Sequence, residues 1–271
     1  MKNDEPPICL TIAGLDPSGG AGIIADIKTF SAFGCFAAAV ISSLTFQNTT
    51  GVFGAVHQTG ESIRGQLEPV LRDYRISAVK TGMLPTPDSI SEIARSIEEF
   101  GLPNLIVDPV VRSTSGVDLI DDVALRMLTE TLFPVSLLVT PNLPEAERIT
   151  RMKIKNDLEI ERAAGLMRDM GATNVLIKGG HYYDRVEGVQ NRKARDLLFI
   201  ASDLTILEAD YIETSATHGT GCALSAAIAA NLALGHDLIS AVRIAKTFVT
   251  EAIRTAPNIG HGSSPINVRT N

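Results

Sequence analysis

The sequence predicts an α/β protein with three layers, in which helices flank a mainly parallel central sheet. Three observations lead to this prediction. Short apolar segments alternate with amphipathic segments, which is the order of strand–loop–helix units in parallel sheets. Each apolar segment is short and is followed at once by Pro, Gly, Asp or Asn. No linker rich in Pro, Ser or Gly divides the 271 residues, so we expect one domain over residues 1–271.

The first half of the chain alternates strands and helices. The apolar run over 8–14 predicts a buried first strand. Residues 22–34 predict a helix, because Ile23, Ile27, Phe30 and Phe33 recur at helical spacing. Further along, short apolar stretches predict strands over 37–46 and 76–82, and amphipathic stretches predict helices over 61–74 and 88–101.

The second half begins with three more units of strand and turn, over 104–110, 136–142 and 174–180. The stretch that runs from 181–188 to 204–213 has a different pattern, which predicts short antiparallel strands at an edge of the sheet, where they would form a small lid. From Asn258 onward the sequence is rich in Gly, Ser and Asn, and we predict a loop.

Composition limits the classes of partner and compartment. The net charge is −7 and no dense block of Lys and Arg occurs, which argues against nucleic acid as a partner. Three cysteines without a CxxC pair indicate neither a disulfide framework nor a zinc site. The acidic, proline-containing start lacks the pattern of a signal peptide, and the longest apolar run is too short for a bilayer. We therefore expect a cytoplasmic protein with no membrane partner.

A glycine-rich turn precedes an Ala/Leu-rich helix over 216–235. Gly219 and Gly221 allow backbone N–H groups to approach an anion, and a helix N-terminus adds partial positive charge. The turn is therefore a candidate anion hole for a phosphate, although the same glycines could simply begin a core helix. Cys222 lies in this first turn, where we expect the helix to lower the thiol pKa so that the sulfur acts as a base. The alternative is an inert buried cysteine, which is our interpretation of Cys9 and Cys35.

The loop over 13–23 predicts a glycine-lined substrate pocket. It lacks the Gly-Lys-Ser/Thr of a nucleotide P-loop, and its glycines do not match the dinucleotide fingerprint. Asp26 falls within the apolar stripe of the following helix, so its carboxylate is either bonded there for structural reasons or functional. Gln47 follows the second strand and can pair both amide atoms with a heterocycle edge, or can be a simple turn residue.

Polar residues at the ends of later strands suit a nucleotide and a metal ion. Asn142 and Glu145 share one side of a helix that begins near Asn142, where they could hold hydrated Mg²⁺ through water. An N-cap with Glu at N3 would give the same spacing for purely structural reasons. Asp108 ends a strand in a position suited to metal or water, and Lys178 ends another where it could meet a triphosphate. Together these residues describe a phosphoryl transferase.

These segments, taken in order, resemble the ribokinase superfamily, and within it the hydroxymethylpyrimidine and phosphomethylpyrimidine kinases of thiamine biosynthesis. The resemblance covers about residues 8–255, and its most specific motifs are "DPSGGAGI" with "HGTGC". It is also carried by "QNTTGV", "KTGML", "VDPVV", "TPNLPEA" and "IKGGH". It implies a kinase that uses ATP and Mg²⁺ to phosphorylate 4-amino-5-hydroxymethyl-2-methylpyrimidine and then its monophosphate. It also implies a homodimer, because relatives commonly pair.

The resemblance assigns roles to individual residues. Gln47 would bind the pyrimidine edge, and Gly14, Asp26 and Met83 would line the substrate pocket. Cys222 would stand where most ribokinase relatives carry an aspartate base, with Gly219 and Gly221 in the anion hole. On the nucleotide side the resemblance places Asp108 and Lys178 beside the Asn142 and Glu145 metal motif.

The chain departs from the family pattern over 111–116, "VRSTSG", where the usual lysine is replaced by Thr114. Arg112 lies two positions earlier and could substitute for that lysine. Two rival functions remain at this stage. Pyridoxal or pyridoxine kinase shares the fold and the chemistry, and a non-catalytic pyrimidine-binding domain would share the pocket. Gln47 favours the pyrimidine, and the combination of Cys222, Asn142 and Glu145 favours an enzyme.

Overall fold

The computed structural model describes residues 5–112, 116–180, 193–201 and 203–269. Within them, nine strands form one sheet in the order β3-β2-β1-β4-β5-β6-β7-β8-β9. In this order, the six strands from β2 to β7 pair in parallel with their neighbours. Strand β3 pairs antiparallel with β2, β8 with β7, and β9 with β8. The strands are β1 (Ile8–Leu15), β2 (Phe36–Asn48), β3 (Gly51–His57), β4 (Ile76–Thr81), β5 (Leu105–Val107), β6 (Leu138–Val139), β7 (Asn174–Gly179), β8 (Lys193–Ile200) and β9 (Asp203–Asp210).

Helices cover both faces of the sheet, as the sequence predicts. They are α1 (Gly22–Ala32), α2 (Gly60–Asp73), α3 (Pro87–Phe100), α4 (Asp122–Thr131), α5 (Leu143–Thr150), α6 (Asp157–Asp169), α7 (Thr220–Ala233) and α8 (Leu238–Arg254). Helices α2 to α6 bury their apolar stripes in one core, and α1, α7 and α8 do so in a second core on the opposite face. None of the described helices has the length and apolar character needed to cross a bilayer.

Local sequence signals fix where the helices begin and end. Helix α3 begins after Thr86, whose hydroxyl accepts from the Ser89 N–H, and has proline in its first turn. It ends at Gly101, which adopts a left-handed conformation (φ 58°). Helix α7 is buried almost all round, so it carries no polar face, and it packs between α1, α8 and the sheet. Its N-terminus therefore lies close to the ends of the central strands.

The predicted elements agree with the structure in kind and to within a few residues at their ends, with four omissions. Strand β3 and helices α4, α6 and α8 were not predicted. The expected antiparallel edge is confirmed by β8 and β9, whereas 181–188 lies outside the described residues. The tail from Asn258 contains no helix or strand within its described part. An isolated parallel β-bridge pairs its Pro265 with His218.

Candidate active site

A cavity of about 320 Å³ lies at the carboxyl ends of the parallel strands, where open α/β sheets bind ligands. Its wall comes from the loop after β1, the β2–β3 hairpin, the ends of β4, β5 and β7, and the start of α7. The cavity brings together ten of the eleven residues predicted for the site: Gly14, Gln47, Met83, Asp108, Asn142, Glu145, Lys178, Gly219, Gly221 and Cys222.

Asp26 is the predicted site residue that does not line the cavity. It is fully buried on α1, behind Lys80, which does line the cavity. The Lys80 ammonium lies 2.8 Å from Asp26 Oδ2, and the Thr11 hydroxyl donates to the same oxygen at 2.6 Å. Asp26 Oδ1 is buried without a hydrogen-bond partner. The carboxylate that breaks the apolar stripe of α1 therefore holds a buried cation at the cavity wall.

Gly14 and Met83 form the narrow part of the wall near β1. A Cβ atom on Gly14 would lie 3.1 Å from the Met83 sulfur, so a larger residue would push the thioether. Gln47 lies opposite, on the inner face of the β2–β3 hairpin, whose outer face exposes Phe46 and Val56. Among the described residues its side-chain amide has no bonding partner, which leaves it available to a ligand.

Cys222 lies in the first turn of α7, after the left-handed N-cap Gly219 (φ 84°). Burial raises the pKa of the Cys222 thiol to about 11, although the Lys80 ammonium favours the thiolate. The expectation that the helix N-terminus lowers the pKa of this thiol is therefore wrong. Desolvation of this half-buried residue, together with the carboxylates Asp26 and Asp108, outweighs the favourable effects of Lys80 and the Gly22 N–H. Cys9 and Cys35 are buried in the second core, as expected for structural cysteines.

Lys178 is the centre of a charged cluster between β5 and β7. Its ammonium lies 2.8 Å from Asp108 Oδ1 and 3.9 Å from Glu145 Oε2. Burial favours neutral Asp108, but Lys178 and Lys80 outweigh it and keep the pKa of Asp108 below its ordinary value. Thr140 and Ser225 donate to the same carboxylate at 3.2 Å each. Asp108 therefore remains ionised and locks the ammonium beside the cavity.

Asn142 and Glu145 form a capping box at the start of α5. The Asn142 side chain accepts from the Glu145 N–H at 2.9 Å, and Glu145 Oε2 accepts from the Asn142 N–H at 2.7 Å. The structural explanation of this spacing is thus correct, and the same Glu145 carboxylate lines the cavity and also accepts a backbone hydrogen bond from Val111. Burial raises the pKa of Glu145 to about 7, and Asp108 adds to the effect while Lys178 opposes it.

Other cavity residues received no role from the sequence. Lys80 lies at the end of β4, and a strand-end lysine could have been paired with the buried Asp26. His218 lies inside the "HGTGC" motif, which is the one signal that could have identified it. Arg112 lines the cavity and pairs with Asp118 at 2.8 Å, whereas Thr114 lies outside the described residues.

A second cavity of about 240 Å³ adjoins the first and shares Asn142, Lys178, Thr217, Thr220 and Gly221 with it. Its remaining wall comes mainly from the region after β9 and from α7 and α8, including the apolar side chains Ile212, Leu224, Val249 and Ile253. Two cavities thus meet over the N-terminal turn of α7 and the Lys178 ammonium.

This fold and this site define a phosphotransferase that acts on a small molecule. The family model described as phosphomethylpyrimidine kinase matches residues 16–267. The hydroxymethylpyrimidine/phosphomethylpyrimidine kinase of Bacillus subtilis is 43% identical over 258 residues, which covers 95% of this chain and 93% of that protein. The chain therefore belongs to the phosphomethylpyrimidine kinase family.

Two solved structures illustrate how close the family lies to another kinase. Phosphomethylpyrimidine kinase of Clostridium difficile is 39% identical, with a TM-score of 0.78 and coverage of 91% of this chain and 99% of that chain. Pyridoxal kinase of Staphylococcus aureus, solved with AMP-PCP and pyridoxal, is 30% identical, with a TM-score of 0.87 and coverage of 97% and 94%. The backbone alone therefore does not separate the two substrates.

Proposed function

We propose that the chain is an ATP-dependent kinase that phosphorylates 4-amino-5-hydroxymethyl-2-methylpyrimidine and then its monophosphate, giving the diphosphate. The observation that carries this proposal is the meeting of Gln47, Cys222 and the Lys178–Asp108 pair around one cavity. The family assignment and the curated relatives named for both phosphorylations support the substrate class.

The acceptor alcohol belongs in the first cavity. The free amide of Gln47 offers both a donor and an acceptor to the amino-pyrimidine edge, and Gly14 and Met83 line the same cavity. The hydroxymethyl group would then lie over the first turn of α7. This arrangement would place the attacking oxygen near Cys222 and the incoming phosphate near the backbone N–H groups that follow Gly219.

The nucleotide belongs in the second cavity, with its phosphates at the shared wall. Apolar side chains suit an adenine ring, and the Lys178 ammonium with the N-terminus of α7 suits the terminal phosphates. The pyridoxal kinase of Staphylococcus aureus, which has the same fold, is described in complex with the ATP analogue AMP-PCP. That description supports ATP as the donor here.

The donor set fits a hydrated Mg²⁺ carried by the nucleotide better than an ion enclosed by protein. No three His, Cys, Asp or Glu side chains of the described part of the chain cluster as metal ligands. Glu145 is a buried carboxylate that lines the cavity while it accepts from the Asn142 N–H of the helix cap, and a carboxylate in this position suits a hydrated Mg²⁺ held through water. When bound, Mg²⁺ would neutralise charge on the phosphate oxygens, and Asn142 with Glu145 would hold its waters.

In the proposed reaction the alcohol loses its proton to the Cys222 sulfur. The alcohol oxygen forms a bond to the terminal phosphorus of ATP while the bond from that phosphorus to the β-phosphate oxygen breaks, and ADP leaves. Lys178 and the α7 amides stabilise the charge on the transferring group. Because burial raises the thiol pKa to about 11, only a small fraction of Cys222 is thiolate at neutral pH before ligands bind.

Purified protein supplied with ATP and Mg²⁺ tests the proposal directly. We expect phosphate transfer to the hydroxymethylpyrimidine and a second transfer to its monophosphate. Chromatography of both products measures the two transfers. Pyridoxal in a parallel reaction is the control for specificity. Transfer to pyridoxal alone would reject the proposed substrate, and the absence of transfer to any alcohol would reject the kinase.

Pyridoxal kinase is the second candidate, favoured by the higher TM-score to pyridoxal kinases. The greater sequence identity to phosphomethylpyrimidine kinases and the family model favour the pyrimidine. We also propose, from the resemblance alone, that two copies pair into a homodimer, and from composition that the protein works in the cytoplasm.

A further inference from the structure

A buried hydrogen bond between His218 and Asp16 joins two glycine-rich segments of the site, and the proposed reaction gives it no role. His218 Nε2 lies 2.8 Å from Asp16 Oδ2, and the two residues are 8% and 1% exposed. Asp16 belongs to the loop between β1 and α1, and His218 immediately precedes the N-cap of α7. Since an ionised carboxylate only accepts hydrogen bonds, His218 Nε2 carries the proton and donates it.

Asp16 takes part in four hydrogen bonds, three of them with its own loop. Oδ1 accepts from the Ser18 N–H at 2.8 Å and from the Ser18 hydroxyl at 2.7 Å. Oδ2 accepts from the Ala21 N–H at 2.8 Å as well as from His218. Burial favours the neutral acid, but the bonds from His218 and Ser18 outweigh it and lower the pKa of Asp16. The carboxylate therefore stays ionised and fixes Ala21, the residue that caps α1.

The two segments interlock around this pair. A Cβ atom on Gly20 would lie 2.3 Å from the His218 ring, and one on Gly219 would lie 1.9 Å from the Gly20 carbonyl oxygen. The backbone of His218 is held from the other side, because its N–H donates to Ser264 and its carbonyl accepts from Ile266. The loop, the turn before α7 and the C-terminal tail therefore meet at one imidazole.

Both segments that meet at this junction lead to the Cys222 sulfur. Ala21 is followed by Gly22, whose backbone N–H acts on the sulfur and favours its thiolate form. Gly219 is followed by the first turn of α7, which carries Cys222 itself. The other charged groups that act on the sulfur come from the sheet and α1: Lys80, Asp26, Asp108 and Lys178.

We propose that the Asp16–His218 pair is a positioning element that holds the Gly22 amide and the start of α7 in register around Cys222. Asp16 fixes the amide side of this arrangement, and His218 fixes the helix side. Without the hydrogen bond between Asp16 and His218, the position of the Gly22 amide relative to the Cys222 sulfur is no longer fixed. The inference rests on the proposed function in taking Cys222 as the proton acceptor.

The test compares the variants His218→Gln, His218→Leu and Asp16→Asn with the wild-type chain and with His236→Gln. Gln keeps an N–H donor toward Asp16, whereas Leu removes it, and His236 is an exposed histidine outside the cavity. Two readouts are measured on protein whose folding is checked by circular dichroism. The first is kcat and KM for phosphate transfer to the pyrimidine alcohol. The second is the pH dependence of Cys222 alkylation by iodoacetamide, followed by peptide mass spectrometry.

We expect His218→Leu and Asp16→Asn to lower kcat about tenfold to 100-fold, as a small displacement of reacting groups does. We expect the alkylation midpoint to move to higher pH in both variants, and His218→Gln to restore most of both readouts. Unchanged alkylation and kcat in His218→Leu would overturn the inference. A folded His218→Gln protein as impaired as His218→Leu would also overturn it, since the imidazole itself would then be needed. The alkylation readout requires no kinase activity, so it decides the inference even if the wild type transfers no phosphate.

Discussion

The Lys80 ammonium lies 2.8 Å from the Asp26 carboxylate, and neither side chain is exposed to solvent. Burial of a charge is costly, and a buried pair is tolerated because each charge compensates the other. Lys80 in turn faces the cavity, where its charge favours the Cys222 thiolate and ionised Asp108. Lys80 therefore places a fixed positive charge beneath the reaction site, and the Asp26 carboxylate behind it offsets part of that charge's effect on Cys222.

Replacement of Asp26 by Asn should leave an uncompensated buried ammonium. We expect the free energy of unfolding to fall by about 3–5 kcal/mol, which is typical when one partner of a buried pair is removed. Denaturant titration measures this loss. The double variant Asp26→Leu with Lys80→Met should recover most of it, because it removes both charges together.

The exposed pair of Arg254 and Glu251 on α8 provides the control. Glu251→Gln should change the unfolding free energy by less than about 1 kcal/mol. A similar small effect of Asp26→Asn would mean that Lys80 is not held as a buried cation. That result would also remove the source of positive potential inferred for the cavity.

The pKa of the Cys222 thiol predicts how kcat/KM depends on pH. Its pKa is about 11 in the ligand-free protein, so the thiolate fraction rises with pH throughout the neutral range. If the thiolate accepts the proton, kcat/KM should rise up to about tenfold per pH unit below that value. The Cys222→Asp variant carries the base of most ribokinase relatives, and its profile should be flat in the same range.

Steady-state kinetics at several pH values, with ionic strength held constant, measure these profiles. Cys222→Ser should retain folding and lose most of its turnover, because a serine hydroxyl is a far weaker base. A wild-type profile that is flat from pH 6 to pH 9 would contradict the role of a free thiolate. Full turnover in Cys222→Ser would remove the sulfur from proton transfer while leaving the kinase intact.

The parts of the fold that could be predicted from sequence are those with a clear period and a marked end. Helix α3 has a Thr86 cap, an apolar stripe and Gly101, so its bounds follow from local rules. Helix α8 was not predicted even though it has an Asp237 cap and an apolar face, because its start follows α7 after only four residues. Strand β3 was missed because its sequence carries two glycines and pairs only at the sheet edge.

The sequence predicted which residues share the site, but not the charge partners or the burial of each residue, because these depend on the three-dimensional structure. Strand ends share one edge of a parallel sheet, so a common cavity for Asp108, Asn142 and Lys178 follows from topology. The partners of each charge do not follow, because Lys80 and Asp26 are 54 positions apart. The thiol pKa was predicted in the wrong direction because a local rule about helix ends ignores burial.

Glu145 predicts an unusual pH dependence of stability. Its pKa rises from 4.5 to about 7 on folding, so between these values the folded state binds more protons than the unfolded state. The free energy of unfolding should therefore decrease as pH rises, by at most about 1.4 kcal/mol per pH unit from this group. Above pH 7 its contribution should be constant.

The Glu145→Gln variant isolates this effect, because Gln can still accept the Asn142 N–H of the capping box. Its unfolding free energy relative to wild type should grow with pH from about 4.5 to 7 and then level off. Denaturant titrations at closely spaced pH values measure the difference. A constant difference across that window would mean that Glu145 is ionised throughout, held by Lys178.

Gly219 and Gly235 lie just outside the two ends of α7, and both have left-handed backbone conformations, with φ of 84° and 89°. Their surroundings differ. A Cβ atom on Gly235 would meet nothing within 4 Å, whereas one on Gly219 would lie 1.9 Å from the Gly20 carbonyl oxygen. Alanine at Gly235 should therefore destabilise the fold by about 1–2 kcal/mol through backbone strain alone and leave kcat unchanged.

Alanine at Gly219 adds a collision between the two loops that flank Cys222. The turn must move away from Gly20, which displaces the first amides of α7 from the position of the transferring phosphate. We expect kcat to fall about 100-fold, since small displacements of catalytic groups have effects of this size. Kinetics and thermal denaturation of both alanine variants separate the two contributions. Equal kcat in Gly219→Ala and Gly235→Ala would show that the first turn of α7 does not bind the reacting phosphate.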